Sequence, residues 1–114
     1  MNKYYARKTE CNQGHLHDSK KESFRCNDLT LMVKARVISN LTQQPNFTLQ
    51  EGFRYKGKWV RKISYKADFS YFDNVEKKQV IEDTKGYKTE VYRIKKKMFL
   101  KTIADNDDLE FIES

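Results

Sequence analysis

Residues 58–85 constrain this chain more than any other stretch. Trp59, Val60, Ile63, Tyr65, Ala67, Phe69, Tyr71 and Phe72 mostly alternate with polar neighbours, the period of a strand. The turn residues Asp73-Asn74-Val75-Glu76-Lys77 follow, and residues 78–85 return as a second strand that Gly86 ends. Side chains alternate in a strand, so Asp83 and Lys85 project from the same face with Ile81 beneath them, and pairing across the turn brings Asp68 close to both.

The flanking segments supply helices. Ser19 stands three residues before Glu22 in a capping-box pattern, and Phe24, Leu31, Met32 and Ala35 follow at helical spacing, which predicts a helix over 19–36. Asp28 falls on the same stripe. Residues 37–50 read as an extended segment broken or bulged at Pro45, and 52–57 as a turn. Thr89 caps a second helix over 90–104, with Val91, Ile94, Met98, Leu100 and Ile103 among its apolar residues, and 109–112 reads as a last strand. In the polar first 17 residues, Asn12-Gln13-Gly14 suits a turn between two short extended pieces. The order predicts an α/β fold, one mixed central sheet flanked by helices, in a single domain over residues 1–114.

Composition narrows the class of function. A chain of 114 residues holds one core, and its 15 aromatic residues argue against disorder. The 23 Lys and Arg outnumber 16 Asp and Glu, and five of those acids lie within residues 105–114, so the rest of the chain is strongly basic and favours a polyanionic partner. No segment approaches a membrane span or a signal peptide, so the expected location is cytoplasmic, with Cys11 and Cys26 as thiols rather than a disulfide. Cys11, His15, His17 and Cys26 match no zinc-finger spacing, and no Ser-His-Asp set, Walker loop or dinucleotide fingerprint is present.

Two carboxylates and an ammonium at a sheet end suit a divalent metal site for phosphodiester cleavage: the acids hold Mg²⁺ and the lysine steadies the attacking water and the developing charge. A surface ion pair uses the same residues, and a bare Asp-x-Lys does not separate the two readings. The wider pattern goes further. His17-Asp18-Ser19-Lys20-Lys21-Glu22, Leu41-Thr42-Gln43-Gln44-Pro45-Asn46-Phe47, Tyr65-Lys66-Ala67-Asp68-Phe69 and Val80-Ile81-Glu82-Asp83-Thr84-Lys85-Gly86 resemble, in order, the motifs of the PD-(D/E)XK nuclease superfamily. The closer resemblance is to a small phage and prophage family of unknown function, related in pattern to Holliday-junction resolvases and transposon-end nucleases, which implies a bacterial or phage-infected host cell. His17 stands where that family has an aromatic residue.

The resemblance implies a restriction-endonuclease-like domain and a catalytic set of Glu22, Asp68, Asp83 and Lys85. Of these, Glu22, Asp68 and Asp83 would hold Mg²⁺, with Mn²⁺ able to replace it. Capping competes for Glu22, and Glu82 points away from Lys85, where it would support the metal ligands from behind or lie on the surface. The expected activity is a Holliday-junction resolvase-like endonuclease on branched DNA, and symmetric cutting of a four-way junction implies a homodimer. Expected DNA contacts are Lys20, Lys21, Gln44, Arg61, Lys62, Lys88, Arg93, Lys96 and Lys97. Gln44 equally suits a bond to the sheet edge, and Tyr87 or Tyr92 could stack on a base, although packing suits Tyr92 better. The alternatives are a non-catalytic nucleic-acid-binding module on the same fold and a nicking or repair nuclease for ordinary duplex ends.

Overall fold

Alternation along the central stretch does build a sheet, but in shorter pieces than the pattern suggests. The computed structural model describes residues 9–10, 16–17, 20–84 and 88–114, with Thr9, Glu10, Leu16 and His17 as backbone alone. Cys11, the 12–14 turn, His15, Asp18, Ser19, Lys85, Gly86 and Tyr87 therefore lie outside the described residues, as does the side chain of His17.

The chain runs β1 (Thr9–Glu10), β2 (Leu16–His17), α1 (Lys20–Lys34), β3 (Ile38–Gln43), β4 (Asn46–Gln50), β5 (Phe53–Tyr55), β6 (Lys58–Val60), β7 (Ile63–Lys66), β8 (Phe69–Asp73), β9 (Lys78–Asp83), α2 (Glu90–Ile103) and β10 (Leu109–Glu113). The architecture is mixed α/β. Its central sheet has the order β10-β9-β8-β3, with β10 parallel to β9 and the other pairs antiparallel. β1 pairs with β2, β4 with β7 and β5 with β6, each as a separate antiparallel ribbon.

The single strand expected over 58–72 is three strands. Exposed Arg61 and Lys62 separate β6 from β7, and a break at Ala67-Asp68 separates β7 from β8. That second break exchanges faces. Tyr65 and Ala67 pack with Tyr92 and Phe99 of α2, whereas Phe69 and Tyr71 pack with Cys26 and Leu29 of α1. An uninterrupted period of two through 65, 67, 69 and 71 thus feeds two cores, one on each side of the sheet. The break is held by backbone bonds from Gln44 N–H to Asp68 O (2.8 Å) and from Ala67 N–H to Pro45 O (3.1 Å). At Gln44 the chain takes φ 48° and leaves β3 for β4, the interruption that Pro45 signalled.

Of the turn expected over 52–57, only Lys56-Gly57 turns. Both have positive φ (48° and 78°), the mirror-image geometry of a two-residue hairpin loop, and Phe53–Tyr55 is strand.

Both helices form where expected, but the buried stripe of each is displaced from the most apolar one. On α1 the buried residues are Glu22, Ser23, Cys26 and Leu29, while Phe24 and Leu31 are about two-thirds exposed. Asp28, on the stripe of Phe24 and Leu31, marked that face as solvated. On α2, Thr89 caps as expected, its hydroxyl accepting from Tyr92 N–H (3.0 Å). Tyr92, Phe99 and Ile103 face the core, and Val91, Ile94 and Met98 face water.

Candidate functional site

The face exchange puts Asp68 where a strand begins and beside the place where β9 ends. Phe69 pairs with Glu82, and Asp68 and Asp83 are the next residues outward on the two strands. Asp68 Oδ2 accepts from Thr84 N–H (2.7 Å) and from the Thr84 hydroxyl (3.0 Å). Asp83 Oδ2 accepts from the Tyr65 hydroxyl, which β7 brings from the α2 side. Asp68 is 3 % and Asp83 0 % exposed, so both carboxylates act in a poorly screened environment.

Glu22 reaches the same end of the sheet from the first turn of α1 and is equally buried. Gln44 connects the two sides: its amide nitrogen lies 3.5 Å from Glu22 Oε2, and its backbone bonds to Asp68. It therefore lines the acidic cluster and also ties the sheet edge. Ser19, the capping rival for Glu22, and Lys85, the expected fourth member, lie outside the described residues.

Glu82 points away from Asp83, as alternation requires, but not to the surface. It is fully buried against α1, where Arg25 donates through Nε (2.5 Å) and Nη2 (3.0 Å), the Tyr71 hydroxyl at 2.7 Å and the Ser114 hydroxyl at 3.2 Å. The bond to Glu82 holds the Arg25 guanidinium above its ordinary pKa. Burial, then Glu82, pushes the Tyr71 hydroxyl up, so it remains a donor. Glu82 is thus a structural counter-charge on the side of the sheet opposite Asp83.

A second acid–base group flanks the cluster. Glu113 of β10, in register with Asp83, accepts from the Tyr92 hydroxyl (2.5 Å) and from Lys96 (3.1 Å), and lies 3.1 Å from Lys88 Nζ. The Tyr92 bond first, then Lys88 and Lys96, lower the Glu113 carboxyl to about 2, and burial keeps the Tyr92 hydroxyl protonated. A folded pKa below the unfolded one stabilises fully above about pH 4.5 and is lost as pH falls toward 2. Partial exposure screens the contribution to about 1–2 kcal/mol. Glu113→Gln is expected to lower stability by that amount at neutral pH and to flatten the acid limb of a stability-versus-pH curve measured by urea unfolding.

Among the described residues no three His, Cys, Asp or Glu side chains close around one point. Asp68 and Asp83 still offer the hard oxygen donors that suit Mg²⁺, which commonly takes one or two carboxylates and completes its shell with water and substrate phosphate. Clefts of about 580 Å³ against β10 and about 460 Å³ beneath β4 include neither carboxylate nor Glu22.

The expected DNA contacts divide by what they touch. Lys20, Lys21, Arg61, Lys62, Arg93 and Lys97 are exposed. Lys88 and Lys96 are engaged by Glu113, and Lys96 also lies 5.6 Å over the Phe111 ring. The sequence reading missed Arg25, Tyr65, Tyr71, Thr84 and Glu113. Of these, Tyr65 and Thr84 carried a local signal, their places inside the Tyr65–Phe69 and Val80–Gly86 motifs.

Residues 1–112 match a family described as Protein of unknown function (DUF1064). The chain belongs to DUF1064. Comparison with curated proteins and with solved structures gave no match. In this DUF1064 chain, the matched span contains Glu22, Gln44, Asp68 and Asp83 but stops one residue before Glu113. No helix among its described residues is long and apolar enough to cross a membrane.

Proposed function

We propose that the chain is a metal-dependent DNA endonuclease of the PD-(D/E)XK type on a restriction-endonuclease-like fold, acting as a homodimer on branched DNA such as a four-way junction. One observation carries this reading: Asp68 and Asp83 stand side by side at the end of β8 and β9, and Glu22 is brought to that end through Gln44. Asp68 and Asp83 would hold Mg²⁺. When bound, that ion polarises a phosphate and acidifies a water. Thr84 fixes the Asp68 carboxylate and Tyr65 fixes that of Asp83, so neither has to reorganise as charge develops. Lys85, two residues beyond Asp83, is the expected donor to the developing charge, and exposed Lys20, Lys21, Arg93 and Lys97 supply sequence-independent phosphate contacts.

The deep burial of the same carboxylates, and their bonds to Thr84 and Tyr65, favour a second reading, a nucleic-acid-binding module whose acids are structural. A labelled four-way junction and a matched linear duplex, each with Mg²⁺ or chelator, separate the readings. Paired, metal-dependent cuts in the junction are the expected result. Tight binding without cutting under Mg²⁺ or Mn²⁺ would select the binding module, and cuts confined to duplex ends a repair-type nuclease.

A further inference from the structure

The β5–β6 hairpin has no place in the site described above, yet it is built in an unusual way. All six of its strand residues are exposed and its strands pair only with each other. From Arg54 to Lys66 the chain carries six cations and no acid. Phe53, Tyr55 and Trp59 are 43 %, 59 % and 60 % exposed, an arrangement that contributes little to a core.

Trp59 is held on this ribbon. A Cβ at position 52 would overlap its ring, so the indole rests on the backbone of Gly52 while most of the side chain stays exposed. Beside the ring a cleft of about 510 Å³ is lined by Glu51, Gly52, Trp59, Arg61, Lys62 and Ser64. That volume lies within the range of small-molecule sites. An aromatic surface next to two exposed cations matches the two parts of a nucleotide, a flat base and an anionic phosphate. Glu51 also lines the cleft and repels phosphate beside it, which favours a strand backbone held at Arg61 and Lys62.

We propose that this cleft takes an unpaired DNA nucleotide, its base stacked on Trp59 and its phosphates on Arg61 and Lys62. The assignment rests on the nucleic-acid part of the proposed function and not on hydrolysis. Beside a branch point, such a slot would hold a base that has left the duplex.

Trp59 is the only tryptophan of the chain, so its fluorescence reports the slot directly. The full-length protein in chelator is titrated with an oligo(dT) strand and with an abasic strand of equal length. Quenching by oligo(dT) and not by the abasic strand is expected. By anisotropy, Trp59→Ala should weaken oligo(dT) binding about 5- to 150-fold, the range for one stacked base. Gly52→Ala, which pushes the ring off its seat without removing it, should weaken binding less and shift the emission of the free protein. Lys62→Ala should lower the slope of log affinity against log salt by about 0.7. Equal quenching by both strands, or Trp59→Ala binding with wild-type affinity, overturns the slot. Cutting activity with a silent Trp59 removes the slot alone, whereas stacking without any cutting keeps the slot and removes the nuclease.

Discussion

Asp83→Asn is expected to reduce metal-dependent junction cutting by at least about 10²–10³-fold, while Glu82→Gln, one residue earlier, leaves cutting measurable and lowers stability instead. Both side chains are fully buried on the same strand, so burial does not distinguish them. Their partners do. Asp83 faces Tyr65 on the α2 side, and an amide oxygen can still accept that hydroxyl, so Asn keeps the local packing and loses only the charge that would hold a cation. Glu82 faces Arg25, Tyr71 and Ser114, and an amide there removes the counter-charge of a part-buried guanidinium. Removing one partner of a fully buried pair costs about 3–5 kcal/mol. The Arg25 side chain is 27 % exposed and can turn its charge to water, which brings the expected cost to about 2–3 kcal/mol. Cleavage gels and urea unfolding of the two variants decide the matter. If both lose stability alike and cut alike, Asp83 is structural and its place in the metal-binding set fails.

The helices, the Pro45 interruption, the Thr89 cap and the last strand were legible because each has a local cause: spacing, a missing N–H, a hydroxyl placed to accept. The two short extended pieces before α1 were legible for the same reason, and they pair as β1 and β2. What sequence could not supply was which side of the sheet each residue serves. Tyr65, Ala67, Phe69 and Tyr71 follow one period, yet a long-range contact with residues 44 and 45 breaks the strand and divides them between two cores. The helix stripes failed for a related reason. Glu22 and Lys96 occupy positions that face the protein interior because partners distant in sequence, Gln44 and Glu113, receive them, while Phe24 and Ile94 face water. At the candidate site, Asp68 and Asp83 could be paired from the hairpin alone. The separation of Glu82 from them followed from alternation, but its burial depended on Arg25, 57 residues away in sequence.

Removal of residues 109–114 should unfold the protein rather than only alter its salt dependence. The acidic character of this end suggests a dispensable tail, but β10 is an integral edge strand, parallel to β9 from Leu109 opposite Gln79 to Glu113 opposite Asp83. Leu109 and Phe111 pack against the α2-side core and Ile112 against the α1-side core, so the strand closes both layers. Glu113 ties Tyr92 and Lys96 of α2 to the sheet, and Ser114 N–H bonds to the carbonyl of Asp83 (2.8 Å). Loss of three part-buried apolar side chains at roughly 1 kcal/mol each, with the Glu113 contribution and an uncovered β9 edge, amounts to about 5 kcal/mol. Domains of this size have total stabilities of only about 5–15 kcal/mol, so the truncated chain should show no cooperative melt, or a Tm lowered by about 20 °C or more. A charge-matched control, Glu110→Gln with Glu113→Gln in the full-length chain, should lose only about 1–2 kcal/mol, assigned above to Glu113. If the truncated chain melts at the wild-type temperature, β10 contributes nothing to the fold; if the control falls as far as the truncation, charge rather than strand pairing holds this edge.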